Sequence, residues 1–167
     1  MHGLMMNQPL LISSQLEFAA RFHGKVEVVT RTVEGPIVRT TWRGVADRVR
    51  QLANALVKAG IRPGDVVATL GWNTQRHLEL YFAVSGLGAI LHTLNPRLPP
   101  DQLAYIVNDA GDVMLCFDTT FAPLANCHTP DVNGILLAAQ NGVDPEYRIK
   151  ITLMDGKLSA TLAFFDM

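Results

Sequence analysis

Residues 62–118 read RPGDVVATLGWNTQRHLELYFAVSGLGAILHTLNPRLPPDQLAYIVNDAGDVMLCFD, and the fold is decided there. Three short apolar runs, Val66–Leu70, Ala89–Thr93 and Val113–Phe117, are separated by two stretches of helical periodicity. Runs of that length, without alternation, suit strands covered on both faces, and alternation with helices is the pattern of βαβαβ winding around a parallel sheet. The first helix of the pair should begin at Asn73 or Thr74 and run to about Gly86. Being apolar nearly all round from Leu78 to Leu87, it is expected to be deeply covered. The second should start at Pro100 or Asp101 and end near Asp109.

On the amino-terminal side, Thr41 opens the strongest amphipathic pattern of the chain. Trp42, Val45, Ala46, Val49, Leu52, Ala53, Leu56 and Val57 share one helical face, and Gly60 with Pro63-Gly64 ends the run. Gly44 stands where a glutamate would complete a capping box, which should weaken the first turn. Upstream, Val26–Arg31 and Ile37–Thr41 read as a hairpin turning through Glu34-Gly35-Pro36. A short helix over Leu10–Phe22 is expected, capped by Ser13 or Ser14 and ended by Gly24. Downstream of Ala125 the style changes. Asn126–Asp131 is turn-rich, Ile135–Ala139 suits either a strand or a helix, and 147–165 reads as a hairpin around Asp155-Gly156.

Composition bounds the function classes. The chain has 167 residues, 49% hydrophobic and 17% charged, enough for one α/β domain with a real core. A net charge of −1 and no basic block argue against nucleic acid as a partner. No run approaches the roughly 18 apolar residues of a membrane span. Two cysteines, Cys116 and Cys127, make no disulfide framework. The opening MHGLMMNQPLLISS lacks a basic region and a small-residue cleavage site, so a cytoplasmic location is expected.

Few residues invite chemistry. Gly86-Leu87-Gly88 ends a helix and enters a strand, the reverse of a dinucleotide loop, and reads as a helix terminator. Trp72-Asn73-Thr74-Gln75 lies between a strand and a helix, where free amides either hold an anion or are simply capped. His77 and Glu79, two apart, point to different sides of a helix and are poor zinc ligands. His92 either faces a cleft at a strand's carboxyl end or packs against backbone. Cys127-His128 are too close in sequence for a nucleophile pair, and Cys116 reads as a core residue. Arg97, rigidly flanked by prolines, is suited to gripping phosphate or carboxylate.

The ordered words Gly64-Asp65-Val66-Val67-Ala68-Thr69-Leu70, Trp72-Asn73, Arg76–Val84, Gly88-Ala89, His92–Leu98 and Ala104–Asn108 resemble the N-terminal domain of acyl-CoA synthetases, which are adenylate-forming, AMP-binding enzymes. They are most similar to medium- and long-chain fatty-acyl-CoA ligases. The resemblance runs from about Ser13 to Leu124. It suggests a flexible start over 1–12, a synthetase-like subdomain over 13–124 and a divergent tail over 125–167. It implies a partial synthetase N-terminal domain, a parallel sheet with flanking helices and a hairpin at each end. It further implies ATP, Mg²⁺ and CoA as family cofactors, a fatty acid as substrate, and homodimerisation through this domain. Asn95, Pro96 and Arg97 would border the CoA channel, with structural stapling of that loop as the open alternative.

Family chemistry needs a Ser/Thr/Gly-rich loop ending in lysine. Lys25, Lys58, Lys150 and Lys157 are the lysines here, and none follows such a loop. The chain is therefore expected to be a fragment that does not catalyse alone, with a non-catalytic interaction module as the alternative. Its tail is expected to depart from the family plan of a further helix and strand.

Overall fold

The computed structural model describes residue 7, residues 9–32 and 35–121, and the backbone of three later strands over 135–139, 147–153 and 159–164. Elements run α1 (Ile12–Phe22), β1 (Glu27–Arg31), β2 (Ile37–Thr41), α2 (Trp42–Lys58), β3 (Val66–Leu70), α3 (Gln75–Gly86), β4 (Ile90–Thr93), α4 (Pro100–Ala110) and β5 (Met114–Phe117). A 3-10 turn (Thr119–Phe121) follows, then β6 (Ile135–Ala139), β7 (Tyr147–Leu153) and β8 (Ser159–Phe164).

β1 and β2 form the expected antiparallel hairpin, Glu27 opposite Thr41 and Arg31 opposite Ile37. The main sheet has the order β4-β3-β5-β6-β7-β8. β4, β3, β5 and β6 are parallel, with Val67 opposite both Leu91 and Met114, and Leu70 opposite Phe117. β7 and β8 add antiparallel, as the 147–165 pattern predicts, although its turn lies outside the described residues. Ile135–Ala139 is a strand and pairs with β5 as the next parallel member of the sheet.

β3 is the central constraint. Val67, Ala68, Thr69 and Leu70 are all buried, so both faces must be covered. On one face, Val67, Met114 and Cys116 meet Val45, Leu56, Ala83 and Val84 of α2 and α3, with Leu16 of α1 completing the cluster. On the other, Ala68, Leu70 and Phe117 meet Leu103 and Val107 of α4. The β3→β4 and β4→β5 crossovers therefore place their helices on opposite faces.

Local chemistry sets the helix ends. Thr41 caps α2, its Oγ1 accepting from the Gly44 amide at 3.2 Å. A Cβ at Gly44 would lie 2.6 Å from Thr40 Oγ1, so the glutamate of a capping box is excluded here by the neighbouring side chain. Thr74 caps α3, and Gly88, at φ 75°, turns the chain from α3 into β4. The Gly86-Leu87-Gly88 stretch is the predicted terminator. The serine cap of α1 is not realised: Leu11 holds the cap position, and Ser14 Oγ donates to the Leu11 carbonyl at 2.6 Å.

α3 also differs from expectation. Tyr81 and Gly86 are exposed, while Gln75 and Glu79 are buried. Arg48 of α2 explains this, donating from Nε to Glu79 Oε1 at 2.7 Å, and Gln75 Nε2 donates to the same oxygen. The Glu79 side chain is 1% exposed against 28% for Arg48, so the acid bears most of the desolvation. Burial accordingly raises the Glu79 pKa above 4.5, while Arg48, Gln75 and Arg76 pull it down.

A raised folded-state pKa means that Glu79's contribution to stability is full below its unfolded value and falls as pH rises through the folded one. Urea titrations of the wild type and Glu79→Gln across pH 4–8 should show the wild type losing its advantage, or deepening its deficit, as pH rises above about 4.5. A difference independent of pH would show that the ion pair holds the folded-state pKa at its unfolded value.

Candidate functional site

In an open parallel sheet a crevice forms at the carboxyl ends of two neighbouring strands whose following connections leave to opposite faces. β4 lies on one side of β3 and β5 on the other, so the reversal falls at β3 and its neighbours. Three segments emerge at this edge: Gly71–Thr74 after β3, Leu94–Leu98 after β4 and Asp118–Phe121 after β5.

Asp118 joins the first and third. It is buried, and its Oδ2 accepts from the Trp72 amide at 2.8 Å across a sequence separation of 46 residues. Its own amide donates to the Leu70 carbonyl at 3.1 Å, and its carbonyl accepts from Phe121 at 2.8 Å. Gly71 lies beside this carboxylate, a Cβ there coming into ordinary contact with Asp118 Oδ2 at 3.4 Å. Trp72 then packs on Phe121 with ring centroids 5.4 Å apart and planes tilted by 37°.

His77 backs the turn. Its Nε2 shares a hydrogen bond with Thr69 Oγ1 at 3.0 Å, which satisfies the buried hydroxyl of β3. Burial lowers the His77 pKa, opposed by a hydrogen bond to the Trp72 backbone and by the Asp118 charge. Neutral imidazole is the form that fits there. As the spacing predicts, His77 and Glu79 diverge, one toward β3 and the other toward α2. A groove of about 380 Å³ lies between Thr30 of β1 and the amino-terminal turn of α3, lined also by Asn73, His77, Leu78 and Tyr81.

Asn95, Pro96 and Arg97 lie together in the turn after β4 and do not line that groove. Asn95 Oδ1 accepts from the Arg97 amide at 3.0 Å, and the Leu98 amide donates to the Asn95 carbonyl at 3.2 Å. The loop is thus held by its own asparagine. Arg97 is exposed, and among the described residues its guanidinium makes no ion pair.

His92 does not face a cleft at the carboxyl edge. It lies within β4, and its Nδ1 donates to Asp112 Oδ2 at 2.8 Å, at the amino end of β5. Asp112 is raised in pKa by burial, against the pull of His92, and its Oδ1 has no partner. Cys116 is buried, its thiol pushed up to about 12 by desolvation, and is inert core. Cys127 and His128 lie outside the described residues. Among the described residues no group of three or more His, Cys, Asp or Glu is placed to hold a metal ion, and no helix is long and apolar enough to cross a membrane. Sequence reasoning missed Asp118 and Asp112. The only signal was an acidic residue immediately outside an apolar run, at 112-113 and 117-118.

A parallel sheet with helices on both faces and convergent loops at its carboxyl edge is the doubly wound α/β architecture, whose ligands bind at that edge. The AMP-binding enzyme family matches residues 16–159, and the chain belongs to it. The match passes beyond Leu124, where the resemblance was expected to end. The 3-methylmercaptopropionyl-CoA ligase of Ruegeria lacuscaerulensis is 52% identical over 124 residues, covering 74% of this chain and 23% of that protein. The medium-chain-fatty-acid–CoA ligase of Ectopseudomonas oleovorans is 46% identical over 144 residues, covering 84% and 26%. The chain thus spans about a quarter of the length of the curated relatives it matches. The N-terminal domain of FACL13 from Mycobacterium tuberculosis superposes with a TM-score of 0.70 over 92% of this chain and 44% of that one, at 19% identity, a likeness of fold.

Removing the Asp118 carboxylate leaves the Trp72 amide without its acceptor in a partly buried turn. Asp118→Ala should cost about 1–3 kcal/mol, read as a fall in the urea midpoint, while Asp118→Asn, whose side-chain oxygen still accepts, should recover most of that stability. Equal stability of all three proteins would remove Asp118 from its role.

Proposed function

We propose that this chain is the N-terminal part of an ATP-dependent fatty-acid–CoA ligase. In that reaction the carboxylate attacks ATP, releasing pyrophosphate and giving an acyl-adenylate, and the CoA thiol then displaces AMP to leave the thioester. The observation that carries the reading is the Asn95–Leu98 turn. It is braced by its own side chain at the carboxyl edge of the sheet and presents an exposed arginine with no ion pair among the described residues. Rigid arginine is suited to a phosphate of the CoA nucleotide. Asn95 and Pro96 fix the backbone from which Arg97 reaches, so the three border the CoA channel.

ATP phosphates and Mg²⁺ are a different matter. No lysine of the chain follows a Ser/Thr/Gly-rich loop, and the described residues offer no cluster for a cation. The residues present do not fit those groups, so this chain assayed alone forms no acyl-adenylate. The division into 1–12, 13–124 and 125–167 and a cytoplasmic location belong to the same reading. Support for an aliphatic acid comes from the relatives, named for a methylmercapto-propionyl, a medium-chain and a long-chain acyl group.

A chimera tests it. Residues 16–121 of this chain replace their counterpart in the Ectopseudomonas oleovorans ligase, and thioester formation from ATP, CoA and octanoate is followed. The chimera should turn over and the isolated chain should not. Arg97→Ala in the chimera should raise the KM for CoA about tenfold, the equivalent of roughly 1.4 kcal/mol, and leave the KM for octanoate unchanged. A folded but inactive chimera, or an unchanged KM for CoA, would overturn the reading.

Exposed apolar side chains favour a second reading, a non-catalytic module that pairs with itself. Phe18 and Phe22 of α1 and Ile37 and Val38 of β2 are all exposed. Light scattering of the purified chain at micromolar concentration should then give the mass of a dimer, and Phe18→Ser with Phe22→Ser should return it to a monomer. A wild-type monomer sinks this second reading and leaves the first untouched.

A further inference from the structure

Trp72 has no task in the core. It is 43% exposed, while the ring beside it, Phe121, is buried. Large aromatic side chains are usually drawn inward, and one left open at a ligand-bearing edge has a face to offer. Its position is fixed from several directions. Asp118 Oδ2 holds its amide, and its carbonyl accepts from the Thr74 amide at 2.7 Å. Phe121 backs its ring, and the His77 ring stands behind the turn, tied to Thr69.

Other candidates are weaker. The groove beside Thr30 contains Gln75, whose Oε1 has no partner, but that atom is sealed from the solvent of the groove. The His92–Asp112 pair stands at the opposite end of β5 from the convergent loops.

We infer that Trp72, backed by Phe121, is a stacking platform for the adenine ring of a nucleotide-bearing ligand at the carboxyl edge of β3 and β5. This rests on the reading of that edge as the ligand side of a CoA ligase. The chemistry is sequence of contacts rather than a cavity: a planar, polarisable base gains from a face-on aromatic partner held rigid by backbone hydrogen bonds. The anionic part of such a ligand is served by neighbouring loops of the same edge, among them the turn that carries Arg97. CoA and ATP both bring adenine, and the two are told apart by titration.

The test uses Trp42→Phe, which leaves Trp72 as the remaining tryptophan of the two in the chain. Its fluorescence is followed in the 167-residue protein as CoA, ATP or pantetheine is added. Adenine stacking quenches indole emission, so CoA or ATP should quench and pantetheine should not. Quenching by CoA alone identifies its adenine as the base, and by ATP alone the other. Trp72→Leu should weaken binding of the quenching ligand about tenfold by equilibrium dialysis, with Trp72→Phe retaining most of the affinity. Should Trp42→Phe fail to fold, dialysis of the wild type against the two Trp72 variants carries the test by itself. CoA or ATP bound with equal affinity by wild type and Trp72→Leu overturns the platform. So does the absence of quenching by both. The active chimera then separates the outcomes: if it turns over while Trp72→Leu within it leaves the KM for CoA and for ATP unchanged, the platform fails and the ligase reading stands.

Discussion

The structure depends on β3 being covered on both faces. A strand carrying Val67, Ala68, Thr69 and Leu70 in succession has no side to give to water. Helices must therefore be supplied above and below it, α2 and α3 on one face and α4 on the other. Right-handed crossovers satisfy this only if the second strand goes to one side of β3 and the third to the other. The strand order β4-β3-β5 follows, and with it the separation of loops that opens a crevice at the carboxyl edge. The location of the candidate site is thus a consequence of how one apolar strand is buried.

Covering β3 brings polar groups into the interior, and two of them are answered by side chains of other elements. Thr69, the hydroxyl in an otherwise apolar strand, meets His77. Glu79, on the buried side of α3, meets Arg48 of α2. The charged pair adds little net stability, since removing charge from water costs about as much as pairing returns. Its physical effect is on alternatives. A one-turn slip of α3 against α2 would leave a carboxylate buried without its guanidinium, several kcal/mol worse by the usual scale for a broken buried pair. The pairs fix the alignment of α3, and α3 in turn fixes the turn that carries Trp72.

The parts legible in the sequence are those written in contiguous periodicity. The parallel strands were visible as apolar runs, α2 as a stripe beginning at Thr41, and the 147–165 hairpin as alternation on either side of Asp155-Gly156. Legibility fails where a residue's environment is set by something far along the chain. α3 looked uniformly apolar, so its burial was overestimated at Tyr81 and the placement of Glu79 was unforeseeable without Arg48, 31 residues earlier. His92 stayed open between a cleft residue and a packed one because its partner Asp112 comes 20 residues later. Asp118 looked like the polar end of a strand, and only pairing of β3 with β5 shows that it secures the Trp72 amide. Ile135–Ala139 was ambiguous for a related reason: five apolar residues suit either state, and the neighbouring strand β5 decides.

The two ends of the sheet are built differently, and the difference bears on where ligands go. At the amino end of β5, Asp112 Oδ2 is taken by His92 beneath the end of α4, where the Asp112 amide also closes onto Val107 at 3.2 Å. The Asp112 carboxylate is buried there. At the carboxyl end, by contrast, side chains are used to satisfy backbone: Asp118 takes the Trp72 amide, Thr74 the His77 amide and Asn95 the Arg97 amide. Satisfying the backbone internally leaves the indole of Trp72 and the guanidinium of Arg97 as the groups directed outward from rigid turns. Fixing the backbone of these loops in advance reduces the loop entropy that any ligand binding at this edge would cost.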